Sequence, residues 1–273
     1  MKYLPALWIL LVFFASCQPA VQEQKNTIPD TDSLATAINN IKADLQVKPG
    51  DPELRLYLAN ALAEHGEYAA ADSVAALLEQ DSAQGFQAHY VRAFIALQQK
   101  DTAASIRHLS AVITLKGKAS EYEAVMMNAD LQLAKGAAKD ALPYYQLAGT
   151  IDSASAEALY GTGKCFEQLH NPAKAAAAYQ QAILRNPAYS PAYIALGLQE
   201  EAKGRAEAAL HYFNQAAKAD PTDADAFYHR GRTLLAAGNR PAGLDDLTKA
   251  LSFRKNFPAA KALLDSAVAN NIQ

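Results

Sequence analysis

The pattern of apolar and polar positions in this chain predicts pairs of short helices. In the segment that begins at Ser190, apolar and small residues fall at helical spacing as far as Gly197. Ser190 can cap the first turn, and Gly204 is expected to end the helix because glycine tolerates the left-handed backbone of many helix termini. A second helix is predicted over 206–219, before Pro221. The β-branched alternation of strands is scarce, so the chain is predicted to be all-α.

The predicted helix pair recurs every 34 residues. Small residues occupy two positions of each unit, which hold Gly163, Gly197 and Gly231, then Ala175, Ala209 and Gly243. Two later positions hold a large apolar residue and an alanine, namely Tyr179, Phe213 and Leu247, then Ala182, Ala216 and Ala250. The small residues should let the two helices approach closely, with the ring of Phe213 lying across the groove that they leave. Each unit leaves an apolar face uncovered, so the units must stack on one another.

This order of glycine, alanine, aromatic residue, alanine and proline resembles the tetratricopeptide repeat, a helix-turn-helix unit of the same period. The resemblance implies an all-α, right-handed superhelical solenoid of about six units within 31–273. The units are placed at 52–85, 86–119, 122–155, 156–189, 190–223 and 224–257, and the last three are the most typical of the family.

Both ends of the solenoid are predicted to be covered by an additional helix. A leading helix is expected over 32–46, where one apolar stripe consists of Leu34, Ile38, Ile41 and Leu45. A capping helix is expected over 258–270, with an apolar face of Ala260, Leu263, Leu264 and Val268.

The first residues have the pattern of a lipoprotein leader. Lys2 is followed by an apolar run over 4–15, which is too short to cross a bilayer. Phe14-Ala15-Ser16-Cys17 resembles a bacterial lipobox, which implies a signal peptide over 1–16 and acyl chains on Cys17. An ordinary cleaved signal peptide and an uncleaved anchor are the alternatives. The polar stretch that follows, over 17–30, predicts a flexible tether, and the predicted location is the cell envelope, on the outer membrane facing the periplasm.

Composition and side-chain spacing argue against several other functions. The net charge of −3 provides no basic footprint for nucleic acid. The six histidines show no pair at helical ligand spacing and no cysteine partner, so neither a metal site nor a cofactor is predicted. Cys165 is expected to be a small buried residue, and the carboxylates of Asp245-Asp246 to be solvated. An enzyme is therefore not predicted.

The resemblance places a partner site on the first helix of each unit, which lines the concave face in tetratricopeptide proteins. The fifth residues of the units are Leu56, Tyr90, Met126, Tyr160, Ile194 and Tyr228. One turn later, the ninth residues are Asn60, Phe94, Asp130, Lys164, Leu198 and Arg232. Aromatic and aliphatic anchors with a few charges suit a peptide segment or a partner helix. For Tyr90, Tyr160 and Tyr228 the alternative is that their rings pack between neighbouring units.

The predicted function is that of a non-catalytic adaptor lipoprotein, which holds a segment of another envelope protein in its groove. A carbohydrate-binding surface lipoprotein is one alternative, because one such family is also built on tetratricopeptide units. A structural component that self-assembles through its convex face is another.

Overall fold

The computed structural model describes residues 31–81, 83–117 and 121–269. Within these ranges the chain is helical and contains no strand. The fourteen helices are α1 (Thr31–Val47), α2 (Pro52–His65), α3 (Tyr68–Ala76), α4 (Gly85–Gln98), α5 (Thr102–Lys116), α6 (Tyr122–Ala134), α7 (Ala138–Ile151), α8 (Ala156–Gln168), α9 (Pro172–Arg185), α10 (Ser190–Ala202), α11 (Ala206–Ala219), α12 (Ala224–Ala236), α13 (Arg240–Phe253) and α14 (Pro258–Ala269). The predicted signal peptide, Cys17 and the tether lie outside the described residues.

Consecutive helices pack in pairs, and each pair stacks on the next. The most extensive contacts join the two helices of each unit, from α2 with α3 to α12 with α13. The second helix of each unit then contacts the first helix of the following unit. The leading helix α1 covers α2, and α14 covers α13. The predicted solenoid of six helix pairs with a helix at each end is confirmed.

Glycine permits the close approach of the two helices within a unit. The ring of Phe213 on α11 is fully buried, and a Cβ atom built on Gly197 of α10 would lie 2.4 Å from its Cε1 atom. Gly163 of α8 and Tyr179 of α9 repeat this arrangement, with a corresponding distance of 2.3 Å. The predicted position of the Phe213 ring is therefore confirmed.

Hydrogen bonds between side chains connect successive units. Ser190 does not cap α10 as predicted: Tyr189 is the N-cap residue, and the Ser190 hydroxyl donates instead to Asp223 Oδ2 over 2.6 Å. Asp223 is itself the N-cap of α12 in the next unit. Tyr122 and Ser155, the N-cap of α8, form the equivalent link over 2.6 Å. Gly204, with φ of 73°, follows α10 in the left-handed conformation that was predicted.

The two end helices pack through their apolar stripes. In α1, Ile38 is buried against α2, with Leu34, Ile41 and Leu45 beside it. In α14, Ala260 and Ala267 are buried, whereas Val268 is 49% exposed. The prediction that Val268 belongs to the buried face is wrong, because at 3.6 residues per turn Val268 lies about 80° around the helix from Ala260, at the edge of the face that Ala260 and Ala267 bury.

Across the described ranges, every helix falls short of the length or the hydropathy that a membrane span requires.

Candidate partner-binding face

The first helices of the units form the more closely packed layer of the stack. Successive first helices contact each other between units, as α2 does with α4, α6 with α8 and α10 with α12. Among the described residues, no two second helices from neighbouring units make a comparable contact. In a curved stack the layer with the closer neighbours lies at the smaller radius. We therefore call the exposed surface of α2, α4, α6, α8, α10 and α12 the inner face.

The residues at the fifth position of each unit divide into two groups. Leu56, Met126 and Ile194 are buried, with exposed fractions of 8%, 6% and 9%, and they belong to the core clusters of their units. Tyr90, Tyr160 and Tyr228 are partly buried. The aliphatic members of this position therefore contribute mainly to packing between helices.

The three tyrosines make extensive contacts between elements of the solenoid. The ring centroid of Tyr160 lies 5.5 Å from that of Tyr179 and 5.6 Å from that of Tyr189. The ring of Tyr228 lies 4.9 Å from that of Phe257, in the segment that leads to α14. Tyr90 packs against the cluster that joins α4, α5 and α6. Packing between units accounts for much of their surface, and a part of each side chain stays accessible.

Two residues of the predicted groove carry buried polar atoms without a hydrogen-bond partner in the described part of the chain. These atoms are Asn60 Oδ1 on α2 and the hydroxyl of Tyr90 on α4. Burial raises the pKa of Tyr90 to about 12, and the charges of Glu121 and Glu123 add to the effect. The Tyr90 hydroxyl therefore remains a neutral donor.

The ninth position of each unit contributes a mixed set of side chains to the inner face. All six residues there are partly exposed, and their side chains alternate between apolar, amide and charged types: Asn60, Phe94, Asp130, Lys164, Leu198 and Arg232.

The charged members of the ninth position take part in local polar contacts. The Lys164 ammonium donates to Glu167 over 2.8 Å, and its side chain is 40% exposed. The Arg232 guanidinium pairs with Glu201 of the preceding unit, and its side chain is 38% exposed. Both cations retain surface that could meet a carboxylate of a bound peptide.

Asp246 and Cys165 are buried. Asp246 is only 3% exposed and accepts two hydrogen bonds from the Arg230 guanidinium, from Nε over 2.6 Å and from Nη2 over 2.7 Å. The prediction that it is solvated is wrong, because the repeat turns it towards α12, whereas its neighbour Asp245 is exposed and pairs with Lys249. Cys165 is fully buried as predicted, and burial raises its pKa to about 12.

Sequence reasoning missed a cluster where the first unit meets the second. Glu79, His89 and His108 bring a carboxylate oxygen and two imidazole nitrogens within 4.8 Å of one another. The search for histidine pairs within one helix could not find it, because His89 lies on α4 and His108 on α5. The repeat could have predicted the contact, because two residues 19 positions apart face each other across the two helices of a unit. Tyr160 and Tyr179 are also 19 residues apart and are in contact in the same way.

Burial lowers the pKa of both imidazoles in this cluster. The charge of Arg92 lowers each pKa further, while Glu79 acts in the opposite direction. His89 and His108 are therefore neutral at neutral pH, and one Nδ1 atom can donate a hydrogen bond to the other over 3.1 Å.

Comparisons with known proteins agree with this architecture. Residues 127–191 and 194–260 match the family model described as "Tetratricopeptide repeat". DnaJ homolog subfamily C member 3 from Mus musculus and from Homo sapiens is 36% identical over 69 residues, which is 25% of this chain and 14% of each relative. The chain therefore matches only a small part of these curated relatives.

Solved structures resemble the described chain over most of its length. A tetratricopeptide repeat protein from Parabacteroides merdae is 16% identical with a TM-score of 0.58, over 88% of this chain and 94% of that one. The structure titled APC/C hetero-tetramer Cut9-Hcn1 is 15% identical with a TM-score of 0.56, over 87% of this chain and 46% of that one. A thermophilic tetratricopeptide repeat protein from Thermus thermophilus is 16% identical with a TM-score of 0.54, over 67% of this chain and 99% of that one. At these identities the likeness concerns the fold. Residues 127–191 and 194–260 thus match the tetratricopeptide repeat, and the described helix pairs together form a solenoid like those of the structures compared.

Proposed function

We propose that this protein is a lipid-anchored, non-catalytic adaptor of a bacterial cell envelope, and that its inner face holds a segment of another envelope protein. The observation that carries the proposal is the row of side chains at the ninth position, one from each unit, which are all partly exposed on the inner face. A row spaced by the repeat suits an elongated guest such as a peptide or a single helix.

The chemistry of this row fits a peptide better than a small molecule. Phe94 and Leu198 provide apolar anchors, which usually contribute most of the binding energy at an interface. Lys164 and Arg232 provide donors for carboxylate groups. A guest with apolar residues at helical or extended spacing and an acidic residue at one end would match both features.

Photocrosslinking tests the inner face directly. A photoreactive amino acid replaces Leu198 or Lys164 on the inner face, or Glu207 or Lys218 on the exposed surface of α11, in the full chain in its native cell envelope. We expect a crosslinked partner of defined mass from the inner positions and none from α11. Equal crosslinking from both surfaces, or crosslinks from α11 alone, would refute the role of the inner face.

The anchoring is proposed from the resemblance of Phe14-Ala15-Ser16-Cys17 to a lipobox. Each buried methylene of an acyl chain contributes about 0.8 kcal/mol, so several chains would hold the protein on the membrane. Gln18 rather than aspartate after Cys17 favours the outer membrane by the enterobacterial sorting pattern.

Metabolic labelling with palmitate tests the anchor. We expect Cys17→Ser to abolish labelling and to move the protein from the membrane fraction to the soluble fraction. Cys165→Ala is the matched control, because Cys165 is fully buried and should not affect labelling. Undiminished labelling of Cys17→Ser would exclude the proposed anchor. It would not affect the proposed adaptor role, which the crosslinking experiment tests separately.

A further inference from the structure

Three donor atoms, one from the first unit and two from the second, lie within 4.8 Å of one another. Nδ1 of His89 lies 3.1 Å from Nδ1 of His108 and 3.2 Å from Oε1 of Glu79, and Nδ1 of His108 lies 3.8 Å from the same Oε1. The two imidazole rings are 5.4 Å apart, and their planes are inclined by 35°. We propose that Glu79, His89 and His108 bind a zinc ion.

The separations of the donor atoms match those of a tetrahedral zinc site. Zinc lies about 2.0–2.2 Å from imidazole nitrogen and carboxylate oxygen, so neighbouring ligand atoms at tetrahedral angles are about 3.3–3.6 Å apart. The three separations of 3.1, 3.2 and 3.8 Å lie just outside this range, and small rotations of the side chains would bring them into it. Two imidazoles and one carboxylate form a set of three protein ligands that zinc commonly accepts.

The charges around the site permit a dication. Arg92 carries a positive charge next to Glu79, but its guanidinium also pairs with Asp72, with Nε and Oδ1 2.7 Å apart. The two carboxylates of Asp72 and Glu79 outweigh the single guanidinium, so these three charged side chains together have a net negative charge. Arg92 Nη1 donates to the same Glu79 Oε1 atom, so this oxygen would accept a hydrogen bond from the guanidinium and also bind the ion, as metal-ligating carboxylates are usually hydrogen-bonded in turn.

The segment that carries Glu79 is held firmly against α4. Asp81 Oδ1 accepts hydrogen bonds from the backbone N–H groups of Ala83 and Gln84, over 2.9 and 2.8 Å. A Cβ atom on Gly85 would lie only 2.8 Å from the carbonyl oxygen of Glu79, so the absence of a side chain there allows the close approach.

A zinc ion at this place would link the end of the first unit to both helices of the second. Glu79 lies between α3 and α4, whereas His89 belongs to α4 and His108 to α5. The side chains of the three ligands are 24%, 16% and 16% exposed, which leaves access for water as a fourth ligand. The site would stabilise the junction of the first two units, which lie outside the residues that match the family model, and this inference does not depend on the proposed adaptor function.

Metal titration of the full chain, purified in detergent and treated with EDTA, tests the site. Cobalt chloride should produce the visible d–d absorption of tetrahedral Co²⁺ at one equivalent, and zinc chloride should abolish it by displacement. Zinc chloride should also raise Tm by a few degrees, because a ligand that binds the folded state stabilises it. The absence of both the absorption and the Tm shift in the wild-type chain would overturn the proposal without any variant.

Substitution of single residues tests whether Glu79 and His108 hold the ion. His108→Asn and Glu79→Gln should each weaken Zn²⁺ binding by more than the roughly 10- to 100-fold that the loss of an outer partner costs. His65→Ala is the matched control, since His65 pairs with Glu67 over 3.0 Å and the pair belongs to no such three-donor group among the described residues. Circular dichroism in EDTA checks that each variant is folded. Unchanged affinity in both site variants, or an equal loss in His65→Ala, would reject this site.

Discussion

The contact between Gly197 and Phe213 shows how one missing side chain determines the packing of a unit. The Phe213 ring is fully buried and occupies the space where a Cβ of residue 197 would lie. Interiors are packed so densely that even one added carbon atom must displace its neighbours. The helix propensity of residue 197 is therefore secondary to the volume that it leaves free.

Gly197→Ala should lower the free energy of unfolding by about 1–3 kcal/mol, because the added methyl group forces the ring of Phe213 out of its position. Urea denaturation monitored by circular dichroism measures the change. Gly149→Ala is the matched control within helix α7, since no atom lies within 4 Å of a Cβ there, and it should stabilise the protein by about 0.5–1 kcal/mol. Stabilisation by both substitutions would show that propensity outweighs packing.

His229 on α12 is partly buried and stacks on the ring of Phe213, with the centroids 5.6 Å apart. Burial lowers the pKa of His229, and Arg232 lowers it further, whereas Asp225, Glu201 and Asp223 oppose the shift. The unfolded chain therefore binds the proton more readily than the folded chain. The stability that neutral His229 contributes is fully present above its ordinary pKa of 6.5. It is lost as the pH falls through the lower pKa of the folded state.

His229→Phe should reduce the loss of Tm between pH 7.5 and pH 5, because phenylalanine retains the stacked ring and cannot bind a proton. Differential scanning calorimetry at the two pH values measures the difference. His211→Phe changes an exposed histidine on α11 and should leave the loss of Tm as in the wild type. An equal loss of Tm in wild type and His229→Phe would show that His229 is not responsible for this pH dependence.

Within a helix pair, Arg230 and Asp246 form a two-point contact between α12 and α13. Asp246 is 3% exposed, so its charge depends on the guanidinium for compensation. Arg254, the residue that follows α13, donates two hydrogen bonds to Asp225 of α12, over 2.9 and 2.7 Å, but their side chains are 43% and 38% exposed. The two pairs differ mainly in their access to water.

Arg230→Ala should cost about 3–5 kcal/mol of unfolding free energy, because it leaves the buried carboxylate of Asp246 without a counter-charge. Arg254→Ala should cost only about 0.2–1 kcal/mol, since water solvates the remaining Asp225. Chemical denaturation of both variants under identical salt conditions compares them. Similar losses would mean that burial does not distinguish the two pairs.

Elements were easier to predict from the sequence than the partners of individual side chains. Periodicity predicted both the helix pairs and the packing of Phe213 on Gly197, because local spacing determines which side of a helix is apolar. Ser190 and Asp246 were misjudged because their partners lie on another helix, 33 residues away for Ser190 and 16 for Asp246. The cluster of Glu79, His89 and His108 was not predicted for the same reason, since its members lie on different elements. The role of the inner face stays a prediction.

At the scale of the whole molecule, each unit contacts mainly its neighbours in the chain. The stability of such a stack is approximately a sum of units and their interfaces, so damage at one end need not reach the other. The period of 34 residues was therefore sufficient to predict the architecture. The period could not predict how much each end helix contributes to the stability of the fold, because that depends on which apolar residues the interface at that end buries.

Truncation of the chain after Phe257 removes α14 and uncovers the last interface. Ala260, Leu263 and Leu264 pack in one cluster with Leu247 and Ala250 of α13, so their loss exposes that apolar surface to water. Hydrogen exchange followed by mass spectrometry should then show faster exchange in α12 and α13 and unchanged exchange from α2 to α5. Lys261→Ala alters an exposed residue of the same helix and should reproduce the wild-type pattern. If truncation instead accelerated exchange in every helix equally, the solenoid would unfold as a single cooperative unit, and the neighbour-by-neighbour account of its stability would have to be abandoned.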